Sequence, residues 1–289
     1  MLGGGRSGNR RDFANRCAAL LLFFVAALLP AAAAAQPLKV MSFNVRLPIA
    51  SDGPNAWSHR RDLAVRTVRE AAPDVIGTQE LFKEQGDYLV EKLPHYAWIG
   101  EGRRGGTGDE HMGLFYRRDR LRLLQSGNFW FSDTPAVPGS IHWGNLYPRM
   151  VTWAQFKAKL GRTFFVFNTH FPYRAEDEPI RRRAAAFLAA RIRDIAGTAP
   201  VVITGDFNTG PDSEAHALLT RDFADAWTAS RSRAGPPETF HNFTGTADRR
   251  IDWILTRGFT VRGVRTVTDH EGAAYPSDHF PVLAELRWR

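Results

Sequence analysis

Val201-Val-Ile-Thr-Gly-Asp206-Phe-Asn208 is the stretch on which the reading of this chain turns. A run of branched apolar residues after Pro200 predicts a strand over Pro200–Gly205. The run stops on a carboxylate and a carboxamide. Alone, Asp206-Phe-Asn-Thr-Gly-Pro reads as a turn, because Asp, Asn, Gly and Pro are the residues that turns use. The pattern gains meaning because it recurs. Asn44 sits in Met41-Ser-Phe-Asn-Val, Gln79 and Glu80 end Val75-Ile-Gly-Thr, and Asn168 and His170 end Phe164-Phe-Val-Phe. Asp252 opens Ile251-Asp-Trp-Ile-Leu, and Asp278 and His279 precede Phe280-Pro-Val-Leu. Strand edges that offer carboxylates, carboxamides and imidazoles are where functional loops converge in sheet proteins.

Between these points the chain alternates strands with a few helices. Helical spacing is predicted over Ser58–Ala72, closed by Pro73, and over Pro179–Ala196, where Ile180, Ala184, Phe187, Leu188, Ile192 and Ile195 share a face. Tyr88–Leu93 closes a further helix and Ser213–Thr220 forms a short one. Strands are expected at Leu38–Val45, Asp74–Thr78, Met112–Arg117, Leu121–Phe131, Met150–Lys157, Thr163–Thr169, Ile251–Leu255, Phe259–Val267 and Pro281–Leu286. Strands outnumber helices and many are adjacent, so mixed sheets covered by helices fit better than one parallel sheet.

The N-terminus has a different character. Arg6, Arg10, Arg11 and Arg16 precede the apolar run Ala18–Leu29, and Ala31–Ala35 follow, the order of an export signal. Arg10-Arg11-Asp12-Phe13 resembles a twin-arginine signal. The expected division is a signal over 1–35 and one domain over 36–289, with a periplasmic or secreted product. The apolar run is shorter than the roughly 20 residues of a membrane span. The chain has 289 residues, 38 Lys and Arg against 30 Asp and Glu, and a net charge of +8. Removing four arginines and Asp12 from those totals of 38 and 30 leaves 34 against 29, or +5, a mild attraction for polyanions. Cleavage also removes Cys17, the single cysteine, so thiolate zinc sites and intrachain disulfides are excluded. At 44% hydrophobic residues, the chain can fill a core, which excludes disordered and collagen-like classes. The polar set supplies hard oxygen ligands without thiols, which suits Mg²⁺ or Mn²⁺.

The order Asn44, Gln79-Glu80, Asn168-Thr-His170, Gly205-Asp-Phe-Asn208, Ile251-Asp252-Trp and Ser277-Asp-His279 resembles the endonuclease/exonuclease/phosphatase superfamily, from Lys39 to about Leu286. That resemblance implies a deoxyribonuclease I-like four-layer α/β sandwich, with two packed mixed β-sheets flanked by helices. Further stretches resemble an exported bacterial branch of undefined substrate. They are Asp52-Gly-Pro-Asn-Ala-Trp57 with Arg60-Arg61, Phe115-Tyr-Arg117, Ser126–Ser132 with Thr134-Pro135, and Pro148-Arg149 leading into Thr152-Trp153. The branch often continues Asn-Thr-His-Leu with Asp and His, whereas Phe171, Pro172 and Tyr173 follow His170 here.

With the resemblance in place, roles are expected as follows. Phosphoester hydrolysis must neutralise charge on phosphorus, orient a water in line and assist the leaving oxygen. Glu80 is the first metal ligand, with Asn44 as its neighbour and Asp278 as another ligand or a holder of His279. Asp206 orients or deprotonates the water. Asn208 and His170 donate to the phosphate, and His279 contacts it, oriented by Asp252. Arg149, after Tyr147-Pro148 and before a strand, is a candidate to bind the substrate phosphate, and Glu110 is a candidate wall of the site. Trp143 and Tyr147 are candidates to stack on a base or sugar.

The expected activity is a divalent-metal-dependent phosphodiesterase or nuclease, with nucleic acid as partner and a monomeric chain that does not stay in the membrane after signal cleavage. The alternatives are a phosphatase or phospholipase C-type hydrolase on a phosphorylated lipid, inositol or sugar, and a non-catalytic binding protein on the same fold. Arg181-Arg-Arg183 and Arg249-Arg250 are the densest basic spots.

Overall fold

The computed structural model describes residues 1–4, 36–159 and 161–289. From residue 5 on, the export-signal reading of residues 1–35 lies outside the described residues. The strands are β1 (Leu38–Asn44), β2 (Val75–Gln79), β3 (Tyr96–Ile99), β4 (Leu114–Arg117), β5 (Leu121–Trp130), β6 (Met150–Ala158) and β7 (Thr163–His170). They continue as β8 (Val201–Asp206), β9 (Ala224–Asp225), β10 (Arg233–Ala234), β11 (Asp252–Arg257), β12 (Phe259–Thr266) and β13 (Val282–Trp288). The helices are α1 (Trp57–Ala71), α2 (Lys83–Lys92), α3 (Glu178–Ala196), α4 (Glu214–Leu219) and α5 (Ala226–Ala229).

Two sheets result. A seven-stranded sheet runs β10-β12-β13-β1-β2-β4-β3, and a six-stranded sheet runs β5-β6-β7-β8-β11-β9. Both are mixed: β1 pairs β2 and β7 pairs β8 in parallel, while β1–β13 and β8–β11 are antiparallel. The central strands are apolar on both faces because both faces are covered. Along β7, Phe164 and Val166 point into the core between the sheets, and Phe165 and Phe167 point to the helical layer. Along β8, Val202 points inward and Val201 and Ile203 outward. This is the two-residue alternation of a strand, hidden in sequence because neither side is polar.

Helix α3 closes the outer face of the six-stranded sheet with Ala184, Leu188 and Ile192. Helix α1 and Leu89 of α2 close the other sheet against Met41, Phe43, Ile76 and Phe115. The result is the expected helix–sheet–sheet–helix sandwich.

The two sheets approach closely at Gly77. A Cβ added at Gly77 would lie 1.9 Å from Thr204 Oγ1 and 2.5 Å from Asn168 Oδ1, so only glycine fits. Asn168 fills this seam. Its Nδ2 donates to Thr78 O at 2.7 Å and Gly113 O at 3.0 Å, while its Oδ1 accepts from Gln79 Nε2 at 2.7 Å and Thr204 Oγ1 at 3.0 Å. Asn168 and Gln79, read in the sequence as strand-end polar residues, therefore brace the sheets beneath the cleft. The strands and α-helix that the sequence reading lacked are β3, β9, β10 and α5. Each has four residues or fewer, too short for a period to show.

Candidate active site

Pairing register builds the first row of the site. His170 at the end of β7 lies beside Asp206 at the end of β8, and Asp206 lies beside Asp252 at the start of β11. The facing sheet contributes Asn44 at the end of β1, opposite Gln79, then Glu80 just beyond β2 and Asp278-His279 just before β13. Six strand edges that are scattered along the chain thus meet at one end of the sandwich. A cleft of about 320 Å³ opens there, lined among others by Glu80, Glu110, Arg149, His170, Asp206, Asn208, Asp278 and His279.

Backbone strain concentrates at the same place. Arg46, Glu80 and Asn208 have φ of 56°, 57° and 51°, a left-handed conformation that costs about 1–3 kcal/mol per residue outside glycine. Their side chains reach neighbouring strand ends: Glu80 meets Asn44 and Leu47 N–H beyond β1, and Asn208 meets His170 and Phe171 O at the end of β7.

Asp206 is the hub, and it is 2% exposed. Its Oδ2 accepts from Asn44 Nδ2 at 3.0 Å, and its Oδ1 accepts from the Asn208 backbone N–H at 3.0 Å. His170 Nε2 lies 3.5 Å from Oδ2 and His279 Nε2 lies 3.8 Å from it. Burial, helped by the charge of Asp252, pushes the Asp206 carboxyl up to about 7, where a general base is most useful.

The two imidazoles are made unlike. His279 Nδ1 donates to Asp252 Oδ2 at 2.8 Å. Burial opposes its charge, but Asp252, Asp206 and Asp278 more than offset this and raise it to about 10, so an imidazolium faces the cleft. His170 has no such carboxylate bond. Burial and the nearby guanidinia of Arg149 and Arg103 hold it well below its ordinary value, and it stays neutral. Asn208 Nδ2 donates to His170 Nε2 at 2.9 Å and to Phe171 O at 3.1 Å. The ring's proton is then on Nδ1, which points at Glu110 Oε2, 3.9 Å away. Asn208 and His170, expected as separate donors to phosphate, are thus bonded to each other. Of the residues expected to touch the phosphate, His279 Nε2–H and Arg149 are left as donors at the cleft.

Arg149 carries the most pointed electrostatics. It is 5% exposed, its Nη1 has no hydrogen-bond partner, and it forms no ion pair among the described residues. Burial lowers its pKa, yet guanidinium stays charged. Glu110, expected as a wall, is one: buried, bonded to Arg103 Nη2 at 2.9 Å, and pushed up to about 7 by burial and by the charge of Glu80.

The expected metal ligands also converge. Asn44 Nδ2 reaches Glu80 Oε1 at 3.1 Å as well as Asp206, and the Leu47 N–H donates to Glu80 Oε2 at 3.1 Å. Arg46 Nη1 lies between Glu80 Oε2, at 3.9 Å, and Asp278 Oδ2, at 3.8 Å. Two carboxylates aimed at one cationic nitrogen, with no thiol nearby, are a donor set that fits a hard divalent cation. A second cluster, Asp206, Asp252 and His279, has ligand atoms within 4.8 Å of one another. Its His279–Asp252 members already satisfy each other, so Glu80 and Asp278, with Asn44 beside them, are the better fit.

The cleft also has members that sequence reasoning did not place. Arg46, Arg103 and Phe240 line it, as do Tyr173 and Arg249. Arg46 was two residues from Asn44, but Phe240 belongs to no strand run that would have marked it. The two aromatic candidates separate. Tyr147 lines the cleft beneath the Arg103 guanidinium, 4.8 Å from the ring. Trp143 does not line it; its Nε1 donates to Asp133 at 2.7 Å and its ring packs against Phe187.

The family model described as endonuclease/exonuclease/phosphatase matches residues 41–279. The chain belongs to the endonuclease/exonuclease/phosphatase family. It is a hydrolase of phosphoester bonds, on a fold whose members are typically dependent on a divalent metal.

Two solved relatives of this endonuclease/exonuclease/phosphatase protein are similar along most of its length. An endonuclease/exonuclease/phosphatase from Bacteroides vulgatus is 32% identical, with TM-score 0.83, covering 88% of this chain and 100% of that one. The mannosyl-6-phosphatase of Bacteroides thetaiotaomicron VPI-5482 is 32% identical, with TM-score 0.83, covering 87% and 100%. An uncharacterized protein of Acanthamoeba polyphaga mimivirus is 29% identical over 163 residues, 53% of this chain and 59% of that relative's own length.

Proposed function

We propose that this protein is a Mg²⁺- or Mn²⁺-dependent phosphatase acting outside the cytoplasm on a compact phosphorylated substrate, a sugar phosphate in the first instance. The observation that carries this reading is Arg149, an enclosed guanidinium with an unpartnered Nη1 at the cleft wall. A buried charge without a partner is costly unless a ligand supplies the counter-charge, and a phosphoryl group does so. At about 320 Å³ the cleft is of small-ligand size. The similarity to a mannosyl-6-phosphatase supports the same class.

The chemistry follows from the residues. Glu80 and Asp278 would hold the divalent ion, which supplies charge neutralisation at the phosphoryl oxygens. Asp206 takes the proton from the attacking water. The His279 imidazolium and Arg149 donate to the phosphoryl oxygens as charge develops. Asp252 holds His279 in its charged form, and Asn208 orients the neutral His170.

Nuclease action, the first expectation from sequence, is the second reading. Tyr147, Tyr173 and Phe240 line the cleft and offer ring faces to a base. Against it, the basic runs other than Arg249, which lines the cleft, are occupied. Arg181 is buried and bonds Pro172 O and Arg174 O, Arg182 pairs with Glu214 at 2.7 Å, Arg183 with Asp133 at 2.8 Å, and Arg250 with Asp225. The third reading, a binding protein without catalysis, does not account for a carboxyl poised near neutrality beside an imidazolium.

Action outside the cytoplasm rests on the arginine-rich head and apolar run of residues 1–35. Among the described residues no helix is long and apolar enough to cross a membrane.

The deciding experiment incubates the purified protein with Mg²⁺ or Mn²⁺ and hexose 6-phosphates, bis(p-nitrophenyl) phosphate, DNA, RNA and sphingomyelin. Sugar phosphates are expected to give the highest kcat/KM, and Asp206→Ala to abolish turnover. A tenfold preference for DNA or RNA, with steep salt dependence, transfers the assignment to a nuclease.

A further inference from the structure

Asp252 and His279 come from different sheets. Asp252 opens β11 of the six-stranded sheet, while His279 lies three residues before β13 of the seven-stranded one. No strand ladder spans that pair, so the 2.8 Å bond between them needs another support. Thr239, in the loop between β10 and β11, touches both sides and is fully buried. Its Oγ1 accepts the backbone N–H groups of Ile251 and Asp252, each at 3.2 Å. Its hydroxyl proton is directed at Arg249 O, 3.4 Å away. Its carbonyl accepts the N–H of Phe280, the residue after His279, at 2.8 Å. Beyond Phe240 the clasp continues, since the N–H groups of His241 and Asn242 donate to Asp278 O at 2.9 and 3.0 Å.

A hydroxyl has one donor and two acceptor sites, and all three are in use here. Serine can reproduce this pattern. Valine has nearly the same shape but none of the three functions, and it would leave two buried amides without an acceptor.

We propose that Thr239 is a positioning residue for the Asp252–His279 pair, setting the distance between carboxylate and imidazole across the junction of the two sheets. The proposal rests on the reading of His279 as a cleft-facing donor to the phosphoryl group. Thr239 does not line the cleft and touches no substrate, so its effect passes through the pair.

Loss of the clasp misplaces the imidazole, and a shift of about 1 Å in a reacting group is worth about a hundredfold in rate. Thr239→Val is therefore expected to lower kcat about 10- to 100-fold on p-nitrophenyl phosphate and bis(p-nitrophenyl) phosphate, with KM within threefold. Thr239→Ser should return kcat to within threefold. The low-field proton resonance of His279 Nδ1 should be present in the wild type and Thr239→Ser and be displaced or lost in Thr239→Val. Thermal melts accompany each variant, because a merely structural threonine would lower Tm and leave kcat per folded molecule and the resonance unchanged.

His279→Ala separates the two ideas. If it keeps the wild-type rate, the catalytic reading itself fails. If it collapses the rate while folded Thr239→Val keeps kcat within threefold, the Thr239 proposal is overturned. Should the valine chain not fold, Thr239→Ala and Thr239→Ser are compared, and equal kcat in these two overturns the proposal.

Discussion

Replacing Asp252 by Asn preserves the shape of its contact with His279 and removes the charge. The contact is 2.8 Å long between side chains that are 1% and 4% exposed, so solvent screens it little. Among the influences that raise the imidazolium to about 10, the charge of Asp252 is the largest. A hydrogen bond to a buried charge is worth up to about 3 kcal/mol, and at about 1.4 kcal/mol per unit that is about two pKa units. The imidazole should therefore titrate near 8 in the variant. Asp206 responds too. Asp252 is, after burial, the main reason its carboxyl stands near 7, so this pKa also falls. The signs are alike: both transitions move to lower pH. A tautomer freed from its carboxylate costs roughly 10²–10⁴-fold in rate for pairs of this kind. The assay is a pH–rate profile from pH 5 to 11, joined to NMR titration of the metal-free protein. A His279 pKa within half a unit of wild type, or a rate within tenfold, would refute the reasoning. Stability should follow the same groups. The stabilisation from protonated His279 is complete below its ordinary 6.5 and lost as pH rises through about 10, so unfolding free energy should decline over that window.

Two further outcomes are expected. Glu80→Gln should weaken Mg²⁺ or Mn²⁺ binding at least tenfold by calorimetry, about 1.4 kcal/mol, and unchanged affinity would remove Glu80 from the metal site. Arg149→Met should raise KM for a phosphate ester about 10- to 100-fold while Tm holds or increases, since the variant removes a buried charge whose Nη1 has no hydrogen-bond partner; unchanged KM would make Arg149 a purely structural residue.

The strand-end residues were legible because strands buried on both faces leave a plain mark. Val201–Thr204 and Phe164–Phe167 are unbroken apolar or branched runs, and whatever polar residue follows them lies at a sheet edge. Legibility stopped at the direction of each side chain. Asn168 ends its run just as Asp206 does, yet one braces Gly77 and Thr204 while the other opens into the cleft. Trp143 and Tyr147 are four residues apart in one loop, and only Tyr147 reaches the site. Thr239 left no mark at all. Its role comes from amides at Ile251, Asp252 and Phe280, and none of those is adjacent to it in the chain.

The sequence by itself determined the strands, the long helices, the kinds of polar group at each strand end and the absence of thiol ligands. These depend on local chemistry: branching, periodicity and residue type. Tertiary structure alone decided which groups share a charge environment. Asp206 titrates near neutrality because the packed sheets bury it with Asp252 beside it on the next strand, and His279 is charged because the facing sheet brings it to that same carboxylate. His170, a residue of the same type at a similar strand end, is neutral because it is buried without a bonded carboxylate and has Arg149 and Arg103 as neighbours. Protonation depends on desolvation and on charges a few ångströms away, and those neighbours are set by how the two sheets pack.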